Sequence, residues 1–286
     1  MHASSTPAPL ADVPRRRRMP LLLKASAALH LGAGAAVIAA PATWPWALGA
    51  VALNHALVTG TGLWPRSTWL GPNVRRLPDA SAARGEVSLT IDDGPNPAVT
   101  PAVLDQLDAA GARATFFCIA TQALAHPELC REIVRRGHSV QNHSHAHSHL
   151  FSLSGPRAMQ REIARAQDTL AQITGQRPRF FRAPAGLRNP FLASVLDDMD
   201  LDLVSWTRRG FDTVRTDPDD VLARLTRDLR AGDILLLHDG NAARTASGEA
   251  VVLSVLPRLL AQCAQAGLHG VTLPDAIPAP APRVAA

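Results

Sequence analysis

The chain has 286 residues, 47% of them hydrophobic and 19% charged, which allows a large domain with a real core and excludes global disorder. Its net charge of +5 is uneven: residues 1–83 carry eight Lys/Arg against two Asp/Glu, and residues 84–286 carry 21 against 22. The larger part therefore has no basic field, which argues against nucleic acid as a partner.

The first elements in chain order are apolar. Residues 1–20 are Pro-, Ala- and Ser-rich and contain RRRR at 15–18, so they read as a disordered, basic N-terminus. Two hydrophobic segments fill 21–66: LLLKASAALHLGAGAAVIAA (21–40) and WPWALGAVALNHALVTGTGLW (44–64). About 20 apolar residues cross a hydrocarbon core, and Trp favours its borders. The segments predict a two-helix membrane hairpin. Arg15 to Arg18 and Lys24 flank one end, and Arg66, Arg75 and Arg76 flank the other. The positive-inside rule then places both ends, and the main domain, on the cytoplasmic face of a bacterial inner membrane. Three rival readings exist. They are a signal peptide cut at Ala40-Pro41-Ala42, a single anchor with the second stretch flat in the interface, and a buried helical hairpin of a soluble protein. Residues 67–83 read as a linker.

From Arg84 the texture alternates. The strand-like runs are EVSLTI, ARATFFCI, HSVQNH, RFFRAP, LDLVSW, DILLLH and HGVTL. Helical patterns lie between them, among them TPAVLDQLDAAG, PELCREIVRRG, MQREIARAQDTLAQITG, DPDDVLARLTRDLRAG and VVLSVLPRLLAQCAQAG. Gly111, Gly137, Gly175, Gly232 and Gly267 stand where left-handed helix caps belong. Seven strands alternating with about six helices predict a parallel α/β sheet or barrel over 84–276, followed by a loose tail at 277–286. Cys118, Cys130 and Cys263 are widely spaced without a C-x-x-C, so neither a disulfide framework nor a cysteine zinc site is expected.

Ligands of parallel α/β proteins bind beyond the carboxyl ends of the strands. There the chain places TIDDGP (Asp92, Asp93), HSHAHSH (His143, His145, His147, His149), RAPAG (Arg182), GFD (Asp212) and LLLHDG (His238). Asp-Gly-Pro alone is ordinary turn chemistry. Four histidines beyond one strand favour a metal site, and their spacing allows either His143 with His147 or His145 with His149. Two histidines and one aspartate leave an open position for water on a zinc-like ion, the set needed for metal-assisted hydrolysis.

With these motifs in order, the region from about 84 to 276 resembles the polysaccharide deacetylases with a NodB-homology domain, carbohydrate esterase family 4. The resemblance implies a distorted (β/α)7 barrel. It implies Asp92 as catalytic base, Asp93, His143 and His147 as metal ligands, and Arg182 as the residue orienting the base. It implies the Ala185 N–H as an oxyanion donor, His238 as general acid and Asp212 as its orienting partner. Leu236 would line the acyl pocket, and Trp206 is counted with the substrate contacts. The chain departs from the family pattern at Ala185 and Thr213, where aromatic residues are usual, and at Arg209, where an aspartate is usual.

The expected activity is hydrolysis of an N-acyl group, N-acetyl foremost, from an amino sugar in a polysaccharide, oligosaccharide or glycolipid. Zinc is the default metal, with Co, Mn and Ni as alternatives. A cytoplasmic domain beside the membrane would instead meet a lipid-linked sugar. A membrane-bound carbohydrate- or metal-binding protein without catalysis is the remaining alternative, and the presence of Asp92 and His238 argues against it.

Overall fold

The computed structural model describes residues 19–279. The RRRR run, most of the expected disordered N-terminus and most of the expected tail lie outside those residues. Two helices come first, α1 (Leu21–Ala39) and α2 (Trp44–Leu63), joined by the single 3-10 turn Pro41–Thr43. They run antiparallel. Asn54 Nδ2 donates to Ser26 Oγ at 2.8 Å, and the ring nitrogens of His30 and His55 meet at 3.2 Å. No residue of α1 is buried. Among the described residues α1 is the one helix both long and apolar enough to cross a membrane by composition.

Beyond it the strands are β1 (Glu86–Asp92), β2 (Ala114–Cys118), β3 (Ser139–Asn142), β4 (Phe180–Phe181), β5 (Asp202–Leu203), β6 (Arg208–Arg209), β7 (Ile234–His238) and β8 (His269–Gly270). The helices are α3 (Asp79–Ala83), α4 (Thr100–Ala109), α5 (Ala120–Ala125), α6 (Pro127–Arg135), α7 (Pro156–Thr174), α8 (Leu192–Asp198), α9 (Pro218–Thr226), α10 (Val251–Gln265) and α11 (Leu273–Ala276). The sheet is parallel throughout, in the order β5-β4-β3-β2-β1-β7-β6, with β8 paired to β1. All seven strand-like runs carry a strand, and the five helix-ending glycines all have positive φ. The two-residue β6 went unread, because RR flanked by Thr and Gly carries no apolar alternation.

The sheet curls, but its end strands β5 and β6 do not pair with each other. Part of the segment expected as a linker fills the seam. Val74 N–H donates to the Leu203 carbonyl at 2.8 Å, Ser205 N–H donates back to Val74 at 2.9 Å, and Leu77 N–H reaches Gly232 at 2.9 Å. The architecture is thus a curled parallel half-barrel whose gap is bridged by a non-strand segment. Leu77 is buried there, so residues 67–83 work as structure and not only as a tether.

Strand alternation sorts the core. Val87, Leu89 and Ile91 of β1, with Leu235 and Leu237 of β7, face the outer helices α4, α9 and α10. Ile234, Leu236, Phe117, Phe180 and Trp206 form a separate cluster within the curl. Cys118, Cys130 and Cys263 are free and buried, as apolar filling.

α2 leaves its helix directly onto the loop after β4. Arg188 N–H donates to the Gly62 carbonyl at 3.2 Å, and the buried Arg188 guanidinium donates to the Ser67 carbonyl. Gly186, at φ +73°, fits here because an added Cβ would meet Trp206 at 2.7 Å and Pro65 at 2.8 Å.

Candidate active site

Period-two alternation carries the inner face of two neighbouring strands to their carboxyl ends. Thr90 and Asp92 share a face on β1, and Leu236 and His238 share one on β7. The register pairs Thr90 with Leu236 and Asp92 with His238. An apolar wall is thereby converted, one step further along, into an acid and a base.

Asp92 is fixed by a fully buried arginine. Arg182 Nη1 donates to Asp92 Oδ1 at 2.7 Å and to Thr90 Oγ1 at 2.8 Å, and its Nη2 donates to the Ser205 carbonyl at 3.1 Å. Its guanidinium carbon stands 4.1 Å from the centroid of the Phe117 ring, which gives its planar face a partner too. One carboxylate oxygen of Asp92 is committed to Arg182. The other, Oδ2, faces His143 Nε2 at 3.7 Å.

The chain turns sharply after Asp92. Asp93 is left-handed, at φ +76°. The turn packs so closely on the loop after β7 that a Cβ at Gly240 would lie 2.2 Å from the Asp93 carbonyl oxygen. Asp93 Oδ2 accepts from Asn241 Nδ2 at 2.9 Å. Its Oδ1 is buried without a hydrogen-bond donor, 3.2 Å from His143 Nε2 and 3.3 Å from His147 Nε2.

The histidine run is not helical. Ser144 and His147 both have positive φ, and these two left-handed residues fold the segment into a loop. His147 N–H donates to Ser144 Oγ at 3.0 Å, which closes it. The loop, in place of a helical turn, brings the His143 and His147 rings to 4.8 Å. His145 is buried but turned away, and His149 is exposed.

The three side chains suit a divalent cation. Asp93, His143 and His147 each offer one ligand atom, and these lie within 4.8 Å of one another. His143 Nδ1 donates to the Arg182 carbonyl at 2.8 Å, so in the neutral ring Nε2 presents its lone pair to the Asp93 oxygen. Two facing lone-pair atoms in a buried pocket are a cation's ligands. Burial opposes charging His143, but Asp92 and Asp93 outweigh it and raise its pKa, so a cation bound between these groups would displace a proton. Burial would raise the Asp93 carboxyl, yet His143, His238 and His147 hold it well below the usual carboxylate range. Burial lowers His147, and the neighbouring His143 adds to that.

Across the site His238 is anchored twice to the fully buried Asp212. Its backbone N–H donates to Oδ2 at 2.7 Å, and Nδ1 meets Oδ1 at 2.9 Å. Burial opposes charging the ring, but Asp212 outweighs it and raises the His238 pKa. Ala185, at φ +54°, is exposed. No protein acceptor takes its N–H among the described hydrogen bonds. Leu236 and Trp206 are buried in the inner cluster, with Trp206 5.9 Å from the Arg182 guanidinium carbon. Arg209, where the family aspartate is usual, lies over the Trp206 and Phe211 rings.

Sequence reasoning passed over Thr90, Ser205 and Asn241, which hold Arg182 and Asp93. It also passed over Asp239, a fully buried carboxyl pushed up to about 7 by burial and bonded by the Thr100 hydroxyl. Asp239 and Asn241 sit in the LLLHDGN run, where the cluster of polar residues beyond a strand was the available signal.

The comparisons with known proteins agree with this geometry. The polysaccharide deacetylase pattern matches residues 79–204. A chitooligosaccharide deacetylase of Sinorhizobium fredii is 34% identical over 168 residues, covering 58% of this chain and 78% of that relative. A peptidoglycan-N-acetylglucosamine deacetylase of Bacillus cereus is 28% identical, over 68% of this chain and 87% of the relative. A solved family 4 carbohydrate esterase of Streptomyces lividans, in complex with acetate, is 34% identical with a TM-score of 0.59, covering 65% of this chain and 91% of that one. The chain belongs to the polysaccharide deacetylase family. The hairpin α1–α2 lies outside the matched pattern, and so do Asp212 and His238.

Proposed function

We propose that this protein hydrolyses the N-acyl group, foremost N-acetyl, of an amino sugar, and that it does so anchored in a membrane by α1 and α2. The observation that carries the reading is the pairing of a fixed, buried Asp92 with an Asp212-anchored His238 across an Asp93–His143–His147 donor set. Asp93, His143 and His147 would hold a divalent ion, zinc by default and Co, Mn or Ni otherwise. Such an ion would lower the pKa of water and polarise the amide carbonyl.

The remaining steps belong to groups of the chain itself. Asp92 Oδ2, left free by Arg182, removes the proton from the attacking water. The Ala185 N–H donates to the oxygen that becomes negative as the carbonyl carbon turns tetrahedral. His238, protonated because Asp212 favours its charged form, donates from Nε2 to the leaving amine nitrogen. Arg182 holds Asp92 in place, with Nη1 donating to Oδ1. Leu236 and Trp206 form the dry wall against which a short acyl chain packs. The products are an acetate and a free amino sugar, so atoms and protons balance.

Two further readings stand with it. Residues 84–276 carry the hydrolase, with 67–83 built onto its sheet. The basic flanks support a cytoplasmic position for that domain.

The test is acetate release from N-acetylglucosamine oligomers by the full chain. Activity lost with a chelator and in His143→Ala is expected. Activity unchanged by both would end the hydrolytic reading. A C-terminal reporter fusion that is active only on the outer side would overturn the assigned orientation.

A further inference from the structure

A cavity of about 690 Å³ opens where α2 joins the sheet, beside the seam between β5 and β6. Trp64, Arg66, Asn73, Arg75, Arg76 and Trp206 line it, and among the described residues no Asp or Glu does. The three arginines are not equivalent. Arg76 is structural, with Nη1 on the buried Asp233 at 2.5 Å and Nη2 on the Ala231 carbonyl at 2.7 Å. Arg66 and Arg75 instead meet only backbone carbonyls, Thr207 at 3.2 Å and Arg66 at 3.4 Å. Neither has an acidic partner among the described residues. Two guanidinium groups without a counter-charge, in the wall of a concave site, are the chemistry of oxyanion recognition.

The position says which oxyanion. α2 has 20 residues and is therefore about 30 Å long, the thickness of a hydrocarbon core. Trp44 and Trp46 are exposed at one end of it, and Trp64 and Trp69 are exposed at and just beyond the other. On the membrane reading of α2, tryptophans at its two ends stand at the two bilayer borders. The cavity begins at Trp64, so it lies at the level of lipid headgroups. The anion found at that depth is a phosphate ester. The far wall is Trp206, whose ring also lies 5.9 Å from the Arg182 guanidinium carbon. The site therefore borders the candidate catalytic centre while sharing none of its polar groups.

We propose that this cavity binds a phosphate group carried on a lipid, with Arg66 and Arg75 as its ligands. The proposal rests on the reading of α1 and α2 as membrane helices, and it does not depend on the hydrolytic step.

The test titrates the detergent-purified full chain by calorimetry, with tryptophan fluorescence as a second readout. The probes are farnesyl phosphate, dihexanoyl phosphatidic acid, farnesol and inorganic phosphate. At least one lipid phosphate is expected to bind more tightly than both farnesol and inorganic phosphate. The Arg66→Gln/Arg75→Gln variant should lose about 30-fold in affinity, at about fivefold per arginine. Arg66→Lys/Arg75→Lys should retain most of it. Arg131→Gln, which alters an exposed Glu128 partner on a remote helix, should change nothing. Preference for farnesyl phosphate identifies a polyprenyl carrier, and equal or better binding of phosphatidic acid identifies a bilayer headgroup. His143→Ala should bind lipid phosphate like the wild type. Loss of binding in that variant would place the anion at the catalytic centre and overturn the proposal. So would inorganic phosphate binding as tightly as the lipids, a Gln variant indistinguishable from wild type, or no binding of either lipid. Release of the chain from membranes by alkaline carbonate would separately refute the membrane reading on which the site depends.

Discussion

The two ends of this molecule invert each other. In the α1–α2 hairpin large apolar side chains are exposed: Leu21, Leu31, Ile38, Leu48, Leu53 and Leu57 all face outward. In the curled sheet charged side chains are buried: Asp92, Asp93, Arg182, Asp212 and His238 are all nearly inaccessible. Each would be costly in the other's setting. The sheet offsets the cost of its buried charges by pairing them, Arg182 with Asp92 and Asp212 with His238. The hairpin makes few polar contacts, so its exposed surface is compatible with lipid. Burial of paired charges marks the sheet as a protein interior, and the exposed apolar side chains of the hairpin are what the proposed membrane anchoring requires.

The largest effects should come from breaking the buried charge set. Asp92→Asn removes the proposed base and leaves Arg182 buried without its carboxylate, and acetate release should fall by about 100-fold or more in kcat. His147→Ala should be as damaging as His143→Ala, since both face the same Asp93 oxygen. Asp212→Asn tests the other pair. His238 has a raised pKa that depends on Asp212, so the protonated form proposed as the acid persists to higher pH in the wild type. In the variant the basic limb of the kcat/KM profile should move to lower pH. An unmoved limb would remove His238 from the role of acid.

The hairpin half of the comparison is tested by a smaller change. Leu53 is exposed on α2. Leu53→Arg should cost about 3 kcal/mol at the centre of a bilayer and lower the membrane-inserted yield. In water the same change would be nearly neutral, so normal insertion of this variant would contradict the lipid reading.

Two fine tests remain. His138 is a buried histidine that keeps its neutral form. Burial, with Arg113 beside it, lowers its pKa to about 4, and its Nδ1 accepts from the Ala114 N–H. The unfolded chain binds this proton more readily, so the His138 contribution is complete above about 6.5 and is lost as pH falls towards 4. Denaturant midpoints measured across that window should fall in the wild type and flatten in His138→Gln. His149 is exposed, and its ring stands nearly perpendicular to that of His147 with centroids 6.2 Å apart. His149→Ala should leave acetate release within about twofold.

Sequence alone determined most of the sheet and offered most of the candidate site residues. Alternation of apolar residues at periods of two and near 3.6 is a local property, so the strand runs and the long helices were legible. The TIDDGP, HSHAHSH and LLLHDG runs at strand ends were legible for the same reason. Tertiary structure decided the rest. The choice of His143 and His147 over His145 and His149 was implied only by resemblance. In the fold it comes from left-handed Ser144 and His147, and a seven-residue histidine pattern does not encode those angles. Residues 67–83 looked like a tether because their hydrogen-bond partners, Leu203, Ser205 and Gly232, lie more than 100 positions away. Asn241 reaches Asp93 only because β1 and β7 are neighbours, 148 residues apart in sequence. Local spacing writes elements and their faces into a chain. Which distant faces meet is settled when the sheet orders its strands.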